Sequence, residues 1–350
     1  MKQGEFDLII IGQGIAGTVL AHVFLEQGRK VLVMDEPSLS ACSRVSGGMF
    51  NPVVFKRLTS SWMADALLPA LDQFYGKMEA LLGEKLLYPK QIVKIFSEKQ
   101  ERELWEKKRV EAVGKFLSPV MDAELENFGK TKFGWAMVER AGYLDVKRFL
   151  ALSNEYFRAE GIFSEERFDH ALMHFENGKA RYKDLEAKKI IFCEGYLAQR
   201  NPFFSELPFN PAKGESLLVR LKKFHSEKVI SKGVALVSLG GDLYRVGSTF
   251  AWENINDEIT EEAREELLDG LKRIVQEEIE IVDQKAGVRP ALDDRRPVMG
   301  LHRDHSQLGI FNGMGSKGVM LSPYFAQHFF EHLENGTELN KEVDVRRFYK

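Results

Sequence analysis

Three glycine-rich segments and one arginine carry the chemistry that this residue pattern allows. The first segment is Gly12-Gln13-Gly14-Ile15-Ala16-Gly17, directly after the strand-like run Phe6-Asp7-Leu8-Ile9-Ile10-Ile11. Gly12 permits a sharp turn, Gly14 lets backbone approach a pyrophosphate because no Cβ intervenes, and Gly17 lets the next helix lie close to a sheet. Asp35 follows about twenty residues on, placed to accept hydrogen bonds from an adenosine ribose, with Glu36 beside it. Such a turn binds the ADP half common to NAD and FAD. Alone it fits a nicotinamide-dependent dehydrogenase equally well. The second segment is Ser46-Gly47-Gly48-Met49. The third is Asn312-Gly313-Met314-Gly315-Ser316-Lys317-Gly318, ahead of Val319. The arginine is in Gly287-Val288-Arg289-Pro290; the proline biases Arg289 toward extended backbone, so Gly287 and Arg289 share a strand face. Other chemistries find little support. Cys42 and Cys193 form no CxxC pair, the eight histidines are scattered, and no carboxylate dyad or metal-ligand spacing is present.

The elements that must position these residues follow from periodicity and caps. A strand ends at Ile11, and a helix starts near Ile15 with one apolar face, Ile15, Val19, Leu20, Val23 and Phe24, and Gly28 as its C-terminal stop. A second strand, Lys30–Met34, delivers Asp35. Helical stretches are expected over 61–83 and 145–160, each ending at a glycine. The densely charged run 98–113 reads as a solvated helix face rather than an RNA-binding patch, because acids interleave with the bases. Lys188–Cys193 reads as a buried strand ending in Glu194-Gly195, and 215–221 and 234–250 as strands rich in β-branched and aromatic residues. Thr260 caps a helix whose stripe is Leu267, Leu271, Ile274 and Val275. Leu308–Phe311 is a strand feeding the third glycine segment, which opens a helix over Val319–Leu333. Pro323 marks either a first helical position capped by Ser322 or a kink.

The chain has 350 residues and a net charge of −3, enough length for a sizeable core and no excess charge pulling it toward nucleic acid or anionic membrane. No apolar run reaches the ~18 residues of a membrane span, and the first strand begins within a few residues of Met1. The expectation is a cytoplasmic protein with no membrane partner.

Together, the first turn with Asp35, the Ser46-Gly47-Gly48-Met49 turn, the strand ending in Glu194-Gly195, and Gly287-Val288-Arg289-Pro290 with Gly313 to Gly318 resemble the FAD-dependent amino-acid/amine oxidoreductases, the family of D-amino-acid oxidase, glycine oxidase and sarcosine oxidase. The resemblance spans nearly the whole chain. It implies an α/β, doubly wound, Rossmann-like FAD-binding domain (1–60, 141–212 and 285–350) and an antiparallel-sheet substrate domain of α+β type (61–140 and 213–284). It puts Ser43 and Arg44 near the pyrophosphate, Ser46 to Met49 and Gly195 along the cofactor, and Gly313 to Val319 around the pyrimidine end of the flavin. A helix N-terminus there would favour the negative charge of reduced flavin. Lys317 either adds charge at that point or is a solvated loop lysine. The resemblance assigns Arg289 to the carboxylate of a small amine or amino-acid substrate; the alternative is a structural arginine paired with an acid. Glycine oxidase has a second arginine where this chain has Ser316. Gly315-Ser316-Lys317-Gly318 and Pro211-Ala212-Lys213-Gly214-Glu215 look more like the oxidase domain of the bifunctional tRNA wobble-uridine modification enzyme, which acts on a carboxymethylaminomethyl group. The resemblance thus leaves tRNA open as an alternative partner, and oxygen, a quinone or another protein as electron acceptor. With no cysteine near residue 300, FAD is expected to be noncovalent.

Overall fold

The computed structural model describes residues 4–36, 42–126, 128–129 and 131–349. Most of the polar stretch after Glu36 lies outside these residues. Two large sheets organise the chain. The first is parallel at its centre, in the order Phe163–Glu165, Val31–Asp35, Gly4–Ile11, Leu185–Phe192, Leu308–Asn312. Antiparallel strands Lys179–Tyr182, Met173–Glu176 and Val298–Leu301 complete it. Its central strands are apolar on both faces, as helix-covered parallel strands must be: Leu8 to Ile11 and Val31 to Met34 are all buried.

The second sheet runs Glu280–Arg289, Ala212–Arg220, Leu243–Gly247, Val234–Gly240, Val229–Lys232, Ile92–Ile95, Trp135–Val138. All its pairings are antiparallel except Val229–Lys232 with Ile92–Ile95. The helix Glu261–Lys272 packs on it, capped by the Thr260 hydroxyl, which accepts from Ala263 N at 3.3 Å. Leu267 and Leu271 lie on that helix; Ile274 and Val275 are buried just beyond its end.

The first helix, Ile15–Glu26, departs from the expected single apolar face. Ala16 through Phe24 are all buried, because the helix is enclosed by the sheet, the late helix Gly318–Asn335 and the helix Val146–Ala159. Phe24 meets Phe330 edge-on at 5.0 Å, and His22 is buried with Nε2 2.9 Å from Ser153 Oγ. Pro323 lies inside the late helix and Ser322 is not its cap. A proline there cannot donate to the carbonyl of Val319 four residues back. The buried Tyr75 hydroxyl donates to that oxygen instead, at 3.2 Å, from the helix Ala64–Leu82.

Candidate functional site

The carboxyl ends of Gly4–Ile11, Val31–Asp35, Leu185–Phe192 and Leu308–Asn312 open onto one cavity of about 870 Å³, which continues to the second sheet at Gly214, Gly247 and Arg289. A crevice beyond the carboxyl ends of parallel strands is where doubly wound sheets take ligands. Gly12 turns with φ +105°, and a Cβ there would sit 2.6 Å from Cys193 O. A Cβ on Gly17 would collide with Gly12 O, so this glycine is required where helix meets strand rather than on the cavity wall. Gly14, Ile15 and Ala16 do line the wall. The first helix has no side-chain cap at Gly14; Ser43 Oγ accepts from Ile15 N at 3.0 Å. Asp35 and Glu36 close that end. Burial pushes the Asp35 carboxyl up, opposed by the Gln13 backbone N–H and by Arg44, 3.8 Å away.

Ser46 to Met49 line the next stretch of wall. Gly48 turns with φ +64° and packs so closely on Leu144 O that a Cβ would not fit. Asn312 Nδ2 donates to Gly195 O at 2.8 Å and so ties the ends of two strands together. The late helix also begins without a side-chain cap, and Gly318 lies against Ile15, where a Cβ would be 2.8 Å from Cγ2. Two helix N-termini whose N-cap residues supply no side-chain cap, the first met by Ser43 Oγ, therefore stand side by side on one cavity. Met314, Gly315, Ser316, Gly318 and Val319 share its wall. Gly313 does not; it is wedged against Leu292 behind the turn. Lys317 is also off the wall: its Nζ donates to Ser61 Oγ at 2.8 Å, and burial, with Arg296 nearby, lowers its pKa. Neither the solvated-loop reading nor direct charge on the cavity describes that side chain.

Arg289 sits at the far end, 9 % exposed. Nη1 donates to Lys213 O at 3.1 Å; Nη2 donates to Ser248 Oγ at 2.7 Å and Thr249 O at 3.1 Å. The guanidinium lies over the Phe250 ring at 3.9 Å and fills the space a Cβ on Gly214 would need. No acid among the described residues reaches it within ion-pair distance. Glu215, on the same cavity wall, is occupied by Thr260 N (2.9 Å), Thr260 Oγ1 (2.8 Å), Gln284 Nε2 (2.8 Å) and Lys213 Nζ (3.6 Å). Desolvation lowers the Arg289 pKa, the direction expected of a buried cation without a counter-ion. The structural alternative, an arginine paired with an acid, has no acid here. Cys42 is a neighbour whose thiol burial pushes up to about 11.

A model of the family described as FAD dependent oxidoreductase matches residues 7–331. The chain belongs to the FAD-dependent oxidoreductase family. Its cofactor is FAD, and two helix N-termini on one cavity suit the diphosphate and polar ring atoms of that molecule. Among curated proteins, it is 21 % identical over 383 residues to the tRNA 5-methylaminomethyl-2-thiouridine biosynthesis bifunctional protein MnmC of Marinobacter nauticus, covering 99 % of this chain. The chain spans 59 % of that relative's length. Among solved structures, glycine oxidase from Geobacillus kaustophilus superposes with a TM-score of 0.80 at 19 % identity, covering 98 % of both chains. Iminodiacetate oxidase from Chelativorans superposes with a TM-score of 0.76 at 18 % identity, covering 97 % of this chain and 98 % of the other. These likenesses show the fold of this FAD-dependent oxidoreductase: a parallel-centred α/β sheet with its helices, and a second, largely antiparallel sheet. No helix among the described residues is long and apolar enough to cross a membrane, and no group of metal-ligating side chains is found among them.

The structure also adds wall residues that carry no motif, chiefly Arg245, Ser248 and His170. Strand alternation was the available signal for Arg245: Tyr244 and Val246 face the core, so Arg245 and Gly247 face the other way.

Proposed function

We propose that this chain oxidises a C–N bond of a small amine bearing a carboxylate. The observation that carries the reading is Arg289, a buried cation on the wall of the FAD cavity that lacks a counter-ion of its own. A guanidinium so placed calls for a planar anion, and a carboxylate matches its paired donors. The Gly12 turn with Ser43 and Arg44 would hold the pyrophosphate and Asp35 the ribose. Gly47 to Met49 and the turn from Gly313 to Val319 would hold the ring system. FAD held there would supply the hydride acceptor for oxidation of the carbon next to the amine nitrogen, and water would hydrolyse the imine product to a carbonyl compound and the free amine. The chain's task is orientation. Arg289, whose guanidinium lies over Gly214, fixes the carboxylate, and Gly247 and Gly287 leave room for the substrate between that anchor and the ring. No side-chain base is needed if the amine binds neutral. The division into a nucleotide-binding part and a covering part, as expected from sequence, belongs to this reading.

Similarity along 99 % of this chain to a tRNA-modification protein, 59 % of whose length it spans, supports a second version of the same chemistry, in which the carboxylated amine is borne on a tRNA wobble uridine. The FAD-loaded protein, supplied with N-substituted glycines and with tRNA carrying a carboxymethylaminomethyl group, separates the two. The proposal predicts equimolar glyoxylate and free amine from at least one of them. An FAD-loaded protein that yields neither product from any carboxylated amine contradicts it.

A further inference from the structure

Arg245 is a second arginine on the same cavity wall with no acid in ion-pair reach among the described residues. Its Nη1 donates to Ser46 O at 3.0 Å, which leaves most guanidinium donors without a charged partner. Desolvation lowers its pKa, with Asp145 and Tyr143 opposing from beyond ion-pair distance. Arg245 is half-buried, and an anion bound beside it would offset the desolvation that the cavity wall imposes.

The sheet register relates this arginine to Arg289. Along Ala212–Arg220, Ala212 pairs with Arg289 and Leu218 pairs with Arg245. Between them Gly214 pairs with Gly287, Ser216 with Gly247, and Gly247 with Ala235 on its other side. Alternation puts these residues on one face, and all five of the small ones line the cavity. A floor of glycine, alanine and serine thus runs between two arginine-bearing positions separated by about 20 Å of strand, at ~3.3 Å per residue. Arg289 lies back over Gly214, which shortens that gap from its side, and Arg245 reaches the Ser46-Gly47 turn on the same cavity wall.

We propose that Arg245 is a second anion-binding point of the substrate cavity, so that the preferred substrate is an amine carrying two acidic groups, one held by Arg289 and the other by Arg245. This rests on the amine-oxidation reading above. It commits the chain to dianionic amines over monoacidic ones, whatever the remainder of the substrate.

The test is a binding titration of the FAD-loaded protein, read from the visible flavin spectrum. Matched probes are pentanoate against glutarate and heptanoate against pimelate, which vary the span between the charges. The dicarboxylate of at least one pair is expected to bind at least about tenfold more tightly than its monocarboxylate. Arg245→Met should bring that ratio close to one, Arg245→Lys should restore part of it, and Arg289→Met should weaken both members. Equal affinities in the wild type overturn the proposal. So does an Arg245→Met variant that loses FAD or weakens both members alike, which would assign Arg245 to the cofactor or to the Ser46-Gly47 turn. Failure of the amine reading looks different: the dicarboxylate preference would persist while no amine, monoacidic or diacidic, reduces the flavin.

Discussion

Replacing Arg289 with methionine separates a substrate-binding arginine from a structural one. The guanidinium makes three hydrogen bonds, to Lys213 O, Ser248 Oγ and Thr249 O, and stacks on Phe250. Losing them costs about 1 kcal/mol per hydrogen bond and ~1 kcal/mol for the cation–π contact. Against that stands the cost of a buried guanidinium with no counter-ion, several kcal/mol on the same scale. The two nearly cancel, so Arg289→Met should unfold within about 2 kcal/mol of the wild type. Ligand binding should respond differently. Removing the cation from a buried carboxylate pair costs roughly 2–5 kcal/mol, a loss of affinity from about 30-fold to several thousand-fold. The assay pairs a denaturant or thermal unfolding curve with carboxylate titrations followed in the flavin spectrum, both on FAD-loaded protein. A large drop in stability with carboxylate affinity unchanged would refute the reasoning and make Arg289 part of the scaffold.

Three further outcomes test the frame around the site. Burial holds His22 near a pKa of about 3 against an ordinary 6.5, so it is neutral when folded and takes up a proton on unfolding. Its contribution to stability is intact above pH 6.5 and declines as pH falls toward 3; by pH 4.5 the wild type should lose roughly 2–3 kcal/mol more than His22→Gln, measured by urea unfolding at both pH values. Equal acid sensitivity would remove His22 from that account. Tyr75→Phe leaves Val319 O without its donor and should cost about 1–3 kcal/mol, which Pro323→Ala in the same background should partly recover by restoring a backbone N–H. Gly17→Ala forces the first helix off Gly12 and should yield protein with little FAD, whereas Gly76→Ala, with nothing within 4 Å of its added methyl, should keep full flavin content.

The elements whose signals are local were legible. Gly12 to Gly17 follow the apolar run Leu8 to Ile11; Thr260 and Asp145 cap the helices they precede; Gly83 and Gly336 adopt positive φ at helix ends. The strand Glu280–Arg289 was legible only at its end. Its first four residues are exposed, with no alternation to mark them. The hairpin joining Met173–Glu176 to Lys179–Tyr182 turns on Asn177-Gly178, both at positive φ, but its polar flanks hide the strands. The strands Ile92–Ile95 and Trp135–Val138 are short, and only their partners in the second sheet define them. Within the site, Arg289 stood out through its glycine and proline neighbours. Arg245 lies in an ordinary-looking strand, and the role proposed for it rests on its lacking an ion pair among the described residues, a property of the packed molecule. Lys317 shows the reverse: its place in the glycine turn drew attention to the cavity, yet its side chain is bonded to Ser61 on a different segment.

The central claim is that FAD in this cavity removes electrons from a carboxylated amine anchored by Arg289. The most direct measurement is anaerobic mixing of the FAD-loaded protein with a carboxylated secondary amine while the visible flavin band is followed. The account predicts complete bleaching by the wild type, and much weaker saturation by Arg289→Met at unchanged flavin content. A flavin that stays oxidised with every carboxylated amine, or one that Arg289→Met reduces with wild-type concentration dependence, would contradict it.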